Sequence, residues 1–454
     1  MTPPPGAAAT AQPVQVDRSI RPSGLHIQPD LPICQSDLPL DWYQEEFKPY
    51  AEEYLALPDR LPETVLPWMD RYIQPALAEL GPEVMLLAHY YMGGEIVKLV
   101  ERYGGRIADS YLLARQAPLH PEVRVFVESA VHFMAEAIAL LCGPDQSVLI
   151  TNPKSGCTME MMAKDFMVEP AARRLRERYG DELVVIAYMN TSGRVKALAG
   201  ETGGAVCTSS NAEKIVRWAR AQGRRIFFVP DQHLGRNVAR AAGVDPDRLF
   251  QWAGGHEGAD CEIDRLAPSE RARLDAAEMI LWGSFCGVHT VFTPEQVGYW
   301  HERGYSVQVH PECPQPVVEV ADGAGSTAYL WSRVLEAPPG SRFAVATEGH
   351  FVRNLAEQAR LREIEVVHLA EVPGEPSQGC GCATMSRNDP PHLVAILDLL
   401  RRDAVPDLNR VLAGDLVDEL SGWRERLDPA GRERVTRNAR RALEQMIELT
   451  EAQA

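Results

Sequence analysis

The sequence predicts an α/β fold of three similar αβα sandwich units, their parallel sheets arranged with pseudo-threefold symmetry around one central active site. Three observations predict it. Short apolar strands alternate with amphipathic helices from about residue 81 onward, at the intervals that parallel sheets covered on both faces require. This alternation repeats itself three times. Each repeat also runs toward its own cysteine, Cys157, Cys286 and Cys382.

Residues 1–38, rich in Pro and Ala and without apolar periodicity, are expected to be a mobile tail. Trp42, Phe47, Tyr50 and Tyr54, followed by Val65, Met69, Ile73 and Leu77, keep a helical spacing on either side of Leu57-Pro58 and Leu61-Pro62. Together with the first repeat they make the expected unit 39–157. Its first strand is Val84-Met-Leu-Leu-Ala, ending at His89-Tyr90-Tyr91, and Ser110 follows twenty-one residues after His89. The second repeat, expected over 158–286, opens with Leu183-Val-Val-Ile-Ala, ends that strand at Tyr188-Met189-Asn190, and places Ser209 twenty-one residues after Tyr188. The third, over 287–388, opens with Ser306-Val-Gln-Val into His310-Pro311-Glu312-Cys313 and reaches Gly325-Ser326-Thr327 after a shorter interval. A third strand in each repeat ends near Glu128, Asp231 or Glu348. Residues 389–454 are charged and amphipathic and are expected to pack as helices across the repeats.

Composition narrows the function. A 454-residue chain with 45% hydrophobic residues can bury several cores. Its 63 acidic against 46 basic residues, net −17, argue against nonspecific attraction to nucleic acid or to an anionic membrane. Nine irregularly spaced cysteines suit a reducing compartment better than a secreted disulfide framework, so a cytoplasmic setting is expected. The start lacks the pattern of a secretory signal, and no apolar run approaches the length of a membrane span.

Polar residues at the carboxyl ends of parallel strands face the binding crevice, so the strand-end groups should converge. Cys34, Cys142, Cys207, Cys261 and Cys313 are expected to be small buried side chains. Cys157, Cys286 and Cys382 differ because they occupy equivalent ends of repeated units. Three thiolates from separate directions suit a four-iron cluster with one iron open to a substrate oxygen. Zinc held by the three cysteines and His289 is the alternative, although structural zinc sites usually bring ligands as close pairs, which only Cys380 and Cys382 resemble. Ser110, Ser209 and Thr327 stand at helix starts, as caps or as donors to anions such as a phosphate and carboxylates. His89, Tyr91, His289, His310 and Glu312 are side-chain types that move protons near neutral pH.

Several of these segments resemble the quinolinate synthase family, the A protein of de novo NAD biosynthesis. They include Leu86-Leu-Ala-His89-Tyr90-Tyr91, Phe133-Met134-Ala135-Glu136, Gly156-Cys157-Thr158-Met159, Ala187-Tyr188-Met189-Asn190-Thr191-Ser192 and Thr208-Ser209-Ser210-Asn211. Further along, Pro230-Asp231, Cys286-Gly-Val-His289, Val309-His310-Pro311-Glu312-Cys313, Gly325-Ser326-Thr327 and Cys382-Ala-Thr-Met385 continue the likeness in order. The resemblance implies a transferase-type condensation of iminoaspartate, delivered by L-aspartate oxidase, with dihydroxyacetone phosphate, giving quinolinate, phosphate and water. It implies a [4Fe-4S] cluster on Cys157, Cys286 and Cys382. It implies His89, Ser110, Tyr188, Met189, Asn190, Ser209, His310, Pro311, Glu312 and Thr327 around the substrates. Tyr91 and Glu312 would be the leading acid/base groups, with His89 and His310 orienting substrate oxygens. Ala108-Asp109-Ser110 departs from the family's Gly-Asp-Ser, residues 251–278 form an insertion before Cys286 as in the family's longer members, and a disulfide between Cys380 and Cys382 would make the third ligand redox-sensitive. A noncatalytic iron-sulfur sensor and a zinc-dependent lyase are the competing classes.

Overall fold

The computed structural model describes residues 37–92, 96–374, 381–418 and 424–452. Residues 1–36 of the expected tail, with Cys34, and Cys380 lie outside the described residues. The last part of that tail is held in place, because Arg60 donates to both carboxylate oxygens of Asp37 at 2.8 Å. Helix α1 (Lys48–Leu55) and helix α2 (Pro62–Leu80) follow, separated at the proline-rich break. Pro62 begins α2 at a position where no backbone N–H is needed. Val65, Trp68, Met69, Ile73 and Ala76, at intervals of one helical turn, form its buried stripe.

The first sheet contains β1 (Val84–His89), β2 (Arg106–Ala108), β3 (Val125–Ser129) and β4 (Ser147–Ile150), in the parallel order β2-β1-β3-β4. The second contains β5 (Leu183–Tyr188), β6 (Ala205–Cys207), β7 (Arg225–Val229), β8 (Leu249–Gln251) and β9 (Met279–Leu281), ordered β6-β5-β7-β9-β8 and again parallel. The third contains β10 (Ser306–Val309), β11 (Gly323–Ala324), β12 (Arg342–Ala346) and β13 (Glu365–His368), ordered β11-β10-β12-β13 and parallel. The same order, second-first-third-fourth, therefore recurs three times. Strand β8 lies just ahead of the insertion, sharing only Gln251 with it, and pairs beyond β9, so the sheet gains an edge strand without disturbing the shared order.

After the third strand of each sheet comes a helix: α3 (His132–Leu141), then, past α4 (Gly193–Glu201), α5 (Gln232–Ala241), and, past α6 (Thr327–Leu335), α7 (Gly349–Arg360). Strands β1, β5 and β10 are buried over their final residues, as central strands covered on both faces must be.

The C-terminal region closes the assembly. Helix α8 (Pro390–Arg401) buries Leu393, Val394, Ile396 and Leu397 and is tied to α1 where Tyr50 donates to Asp398 at 2.6 Å. Strand β14 (Arg410–Val411) pairs antiparallel with β4. Helix α9 (Pro429–Glu451) lies across α4 so closely that a Cβ on Gly200 would collide with the Asn438 carbonyl. No helix among the described residues is long and apolar enough to cross a membrane.

Candidate active site

The carboxyl ends of the three sheets open onto one cavity of about 270 Å³. Each central strand delivers a polar group at the same register position. His89 ends β1, Tyr188 ends β5, and His310 follows β10, where its N–H continues the ladder to Ala346. Two residues further on, each turn contributes Tyr91, Asn190 and Glu312 to the same cavity. Ser110 and Thr327 line it as the first residues of their helices, whereas Ser209 does so from the turn before the helix Ala212–Ala221, two residues ahead of its N-cap Asn211. Cys157, Cys286 and Cys382 enter from the three cysteine loops.

Two expected contributors lie elsewhere. Met189 is fully buried in the core, and Pro311 presents its carbonyl to the Asn237 amide at 2.8 Å. Both sit between two cavity residues in the turn that follows the strand, closed by the Thr191 N–H on the Met189 carbonyl and by the Cys313 N–H on the His310 carbonyl. Among the remaining cysteines, Cys207 and Cys313 are buried as expected, whereas Cys142 and Cys261 are only half-buried.

The helix caps fall on the neighbours of the expected hydroxyls. Asp109 caps the helix Ser110–Ala114 by accepting from the Leu112 N–H, and Ser326 caps α6 by accepting from the Tyr329 N–H. Ser110 and Thr327 are thus relieved of capping while standing at the cavity wall. Burial pushes the Asp109 carboxyl up to about 6, against the pull of the Leu112 and Tyr111 backbone N–H groups.

A chain of polar contacts crosses the cavity wall. The Tyr91 hydroxyl meets Thr347 Oγ1 at 2.5 Å, and His289 Nε2 lies 3.1 Å from the same oxygen. On its other side His289 Nδ1 stands 2.9 Å from Glu312 Oε2, and the Tyr188 hydroxyl donates to Glu312 Oε1 at 2.5 Å. His289 and His310 stack at 4.5 Å. Thr347 escaped the sequence reading, because a lone Thr after an apolar strand carries no signal of its own.

Burial and charge set the protonation of this group. Burial drives His89 and His310 down to about 3, even against the attraction of Glu312, so both imidazoles are neutral at pH 7. For Glu312 burial acts upward, but the attraction of His310 and His289 in their charged forms and the hydrogen bonds from His289 and the Tyr188 hydroxyl outweigh it and hold the carboxylate below its usual range. Tyr91 and Tyr188 are pushed well above the usual phenol range by burial and by the Glu312 charge. The site therefore sets two carboxyl groups, Asp109 and Glu312, among neutral His89 and His310 and the protonated phenols of Tyr91 and Tyr188.

The three cysteines suit a cationic centre. They are free thiols, and burial raises all three. Cys286 is raised further by Glu312 and by the charges of Cys157 and Cys382, so these thiols feel one another across the cavity. Such a set resists deprotonation alone and gains from a metal that replaces the protons. Cys286, His289 and Glu312 also bring donor atoms within 4.8 Å of one another, a second set able to hold a single ion. There, however, the His289 Nδ1 is already engaged by Glu312.

Comparison with known proteins adds the lineage. The family model described as quinolinate synthetase A protein matches residues 73–448. The chain belongs to that family. It is 36% identical over 387 residues to the quinolinate synthase of Corynebacterium glutamicum, covering 85% of this chain and 88% of the relative. With the quinolinate synthase of Geobacillus kaustophilus the identity is 38% over 333 residues, 73% of this chain and 84% of the relative. The Streptomyces coelicolor quinolinate synthase shares 35% over 386 residues, 84% and 93% respectively. Family membership makes the chain an enzyme, and the cavity, as the meeting point of all three sheets, is its candidate active site.

Proposed function

We propose that the chain is a quinolinate synthase of NAD biosynthesis that condenses iminoaspartate with dihydroxyacetone phosphate, releasing phosphate and water. The observation that carries this reading is one cysteine from each of three repeats on a single cavity whose other walls carry His, Tyr, Ser, Thr and Asn side chains and the carboxyl groups of Asp109 and Glu312. Cys157, Cys286 and Cys382 would hold a [4Fe-4S] cluster, which when bound supplies a Lewis acid at the iron without a protein ligand.

The chain's own groups account for the remaining needs. Two small anions must be brought together, and fixed donors in an enclosed cavity neutralise and align them better than water does. Neutral His89 and His310 can donate to substrate oxygens without adding charge. Ser110, Ser209, Thr327 and the Asn190 amide supply further donors for carboxylates and phosphate. Glu312, ionised, is the base of the site. Tyr91, kept protonated, is the acid, and the Thr347–His289 link connects it to Glu312. A proton taken up at the carboxylate thus has a path toward the phenol. L-aspartate oxidase is the proposed supplier of iminoaspartate. The three sheets are read as the units 39–157, 158–286 and 287–388, with 389–454 packed over them, and the setting as cytoplasmic.

The Cys286, His289 and Glu312 set favours a second reading, a zinc-dependent lyase. Turnover decides the function, with chain purified without air given oxaloacetate, ammonia and dihydroxyacetone phosphate and quinolinate measured. Quinolinate formation that falls at least about 100-fold in Tyr91→Phe and Glu312→Gln is expected for general acid and base groups. No quinolinate from metal-replete chain, or activity restored by zinc alone, would overturn the proposal.

A further inference from the structure

The second and third cysteine loops are anchored by the same device. Strand register aligns the three repeats: Ala88 pairs with Ser129, Ala187 with Val229, and Val309 with Ala346. Two residues beyond these third-strand partners stand Val131, Asp231 and Glu348, the N-cap residues of α3, α5 and α7. Asp231 accepts from the Leu234 N–H of its helix at 2.7 Å and, through its other oxygen, from the Cys286 N–H at 3.1 Å. Glu348 accepts from the Phe351 N–H of its helix at 2.9 Å and, through its other oxygen, from the Cys382 N–H at 3.1 Å. Both carboxylates are completely buried. Two side chains of different length thus reach one arrangement at equivalent places, one oxygen on the helix start and one on the cysteine.

We propose that Asp231 and Glu348 are positioning residues, each fixing a cysteine backbone to the start of a helix so that the Cys286 and Cys382 thiols point into the shared cavity. A carboxyl group suits this because it can meet one N–H with each oxygen, and the Leu234 and Cys286 N–H groups favour the charged form of Asp231 against the burial and the Glu312 charge that push it well above its usual range. The helix end adds its own attraction for a negative group. Once the cysteine N–H is fixed, little beyond rotation about the Cα–Cβ bond remains to aim the sulfur. The first repeat does without this device. Val131 offers no acceptor, and the Cys157 loop is held from outside, where the Asn388 amide donates to Ser155 Oγ at 2.9 Å. The role of these residues toward a cluster rests on the function proposed above, whereas their grip on the cysteine backbones does not.

The test is peptide-resolved hydrogen exchange on the full-length chain, with iron release to a chelator followed in parallel. Asp231→Asn and Glu348→Gln keep the shape but turn one acceptor into a donor facing an N–H. Asp231→Ser keeps an acceptor for the helix start and removes the reach to Cys286, separating anchor from cap and guarding against a variant that fails to fold. In Asp231→Asn and Asp231→Ser, exchange should quicken on the order of tenfold, the worth of one hydrogen bond to a charged group, in the peptide holding Cys286 and not in that holding Cys382. Glu348→Gln should show the reverse. Iron release should be faster in all three. Unchanged protection at the matching cysteine, equal acceleration at both loops, or iron release at the parent rate would overturn the proposal. Parent chain that binds no iron but shows the selective exchange pattern would instead overturn the cluster reading and uphold the backbone anchor.

Discussion

Replacing Asn388 by Ala should loosen two cysteine loops at once. Its side chain is 1% exposed and lies between the loop that follows Cys382 and the loop that precedes Cys157. The amide nitrogen donates to Ser155 Oγ at 2.9 Å, to the Met385 carbonyl at 3.2 Å and to the Ala130 carbonyl at 3.3 Å, while the amide oxygen accepts from Thr151 Oγ1 at 2.7 Å. Four hydrogen bonds at about 1 kcal/mol each set an upper figure of about 4 kcal/mol. Three of the partners keep a second contact: Ser155 Oγ still donates to the Thr384 carbonyl, Thr151 Oγ1 still reaches the Glu128 carbonyl, and the Met385 carbonyl still accepts from the residue-388 N–H. The expected loss is therefore about 3 kcal/mol, read from urea unfolding curves of the chain without added metal. Asn388→Asp should cost more, since a charged oxygen would then face two carbonyls. A loss under about 1 kcal/mol for Asn388→Ala, the range of an ordinary surface substitution, would refute the reasoning.

Three further outcomes follow from the same geometry. The Asp109 carboxyl, raised by burial to about 6, sits above its unfolded value of 3.8, so the stability it contributes is present below pH 4 and lost as pH rises through 6. About two pKa units correspond to about 3 kcal/mol, and Asp109→Asn should gain on the parent by that amount between pH 4 and pH 7 in urea titrations. A pH-independent difference would contradict this. Glu136 accepts from the Gly193 N–H at 2.6 Å and the Gly414 N–H at 2.7 Å, joining α3, α4 and the segment after β14, and a Cβ on Gly193 would strike its carboxyl. Gly193→Ala should therefore cost about 1–3 kcal/mol. Adding Glu136→Ala should cost less than the two single losses together, and strict additivity would count against the contact. Tyr50→Phe, which leaves Asp398 its arginine partners Arg401 and Arg402, should cost only about 1 kcal/mol in the same titrations, and a loss above about 3 kcal/mol would be unexpected.

Much of the architecture was legible because it is written in local patterns. Apolar runs ending at His89, Tyr188 and His310 marked the three central strands, and equal spacing to Ser110 and Ser209 marked the repeat. What escaped was set by contacts distant in sequence or by a choice between neighbours. Asp109 and Ser110, like Ser326 and Thr327, are adjacent residues that can each cap a helix, and only the backbone turn decides which one does. Strand β14 is two residues long, too short to carry a period, and exists because β4 offers it an edge. Met189 and Pro311 shared motifs with true cavity residues, but they sit in the turns past the strands and do not line the cavity. Thr347 and Asn388 matter through partners far along the chain, Tyr91, His289, Thr151 and Ser155, which no local pattern foretells. The twofold use of a buried carboxylate behind Cys286 and Cys382 emerged only once strand register placed Asp231 and Glu348 at equivalent positions.

The central claim is that three sheets gather Cys157, Cys286 and Cys382 about one iron-sulfur centre. Iron, acid-labile sulfide and zinc measured on chain purified without air test it most directly, beside Cys157→Ala, Cys286→Ala and Cys382→Ala. The account predicts about four irons and four sulfides per parent chain, as a [4Fe-4S] centre requires, with little zinc and loss of the cluster in each variant. Stoichiometric zinc in the parent, or a full cluster retained in any one of the three variants, would contradict it.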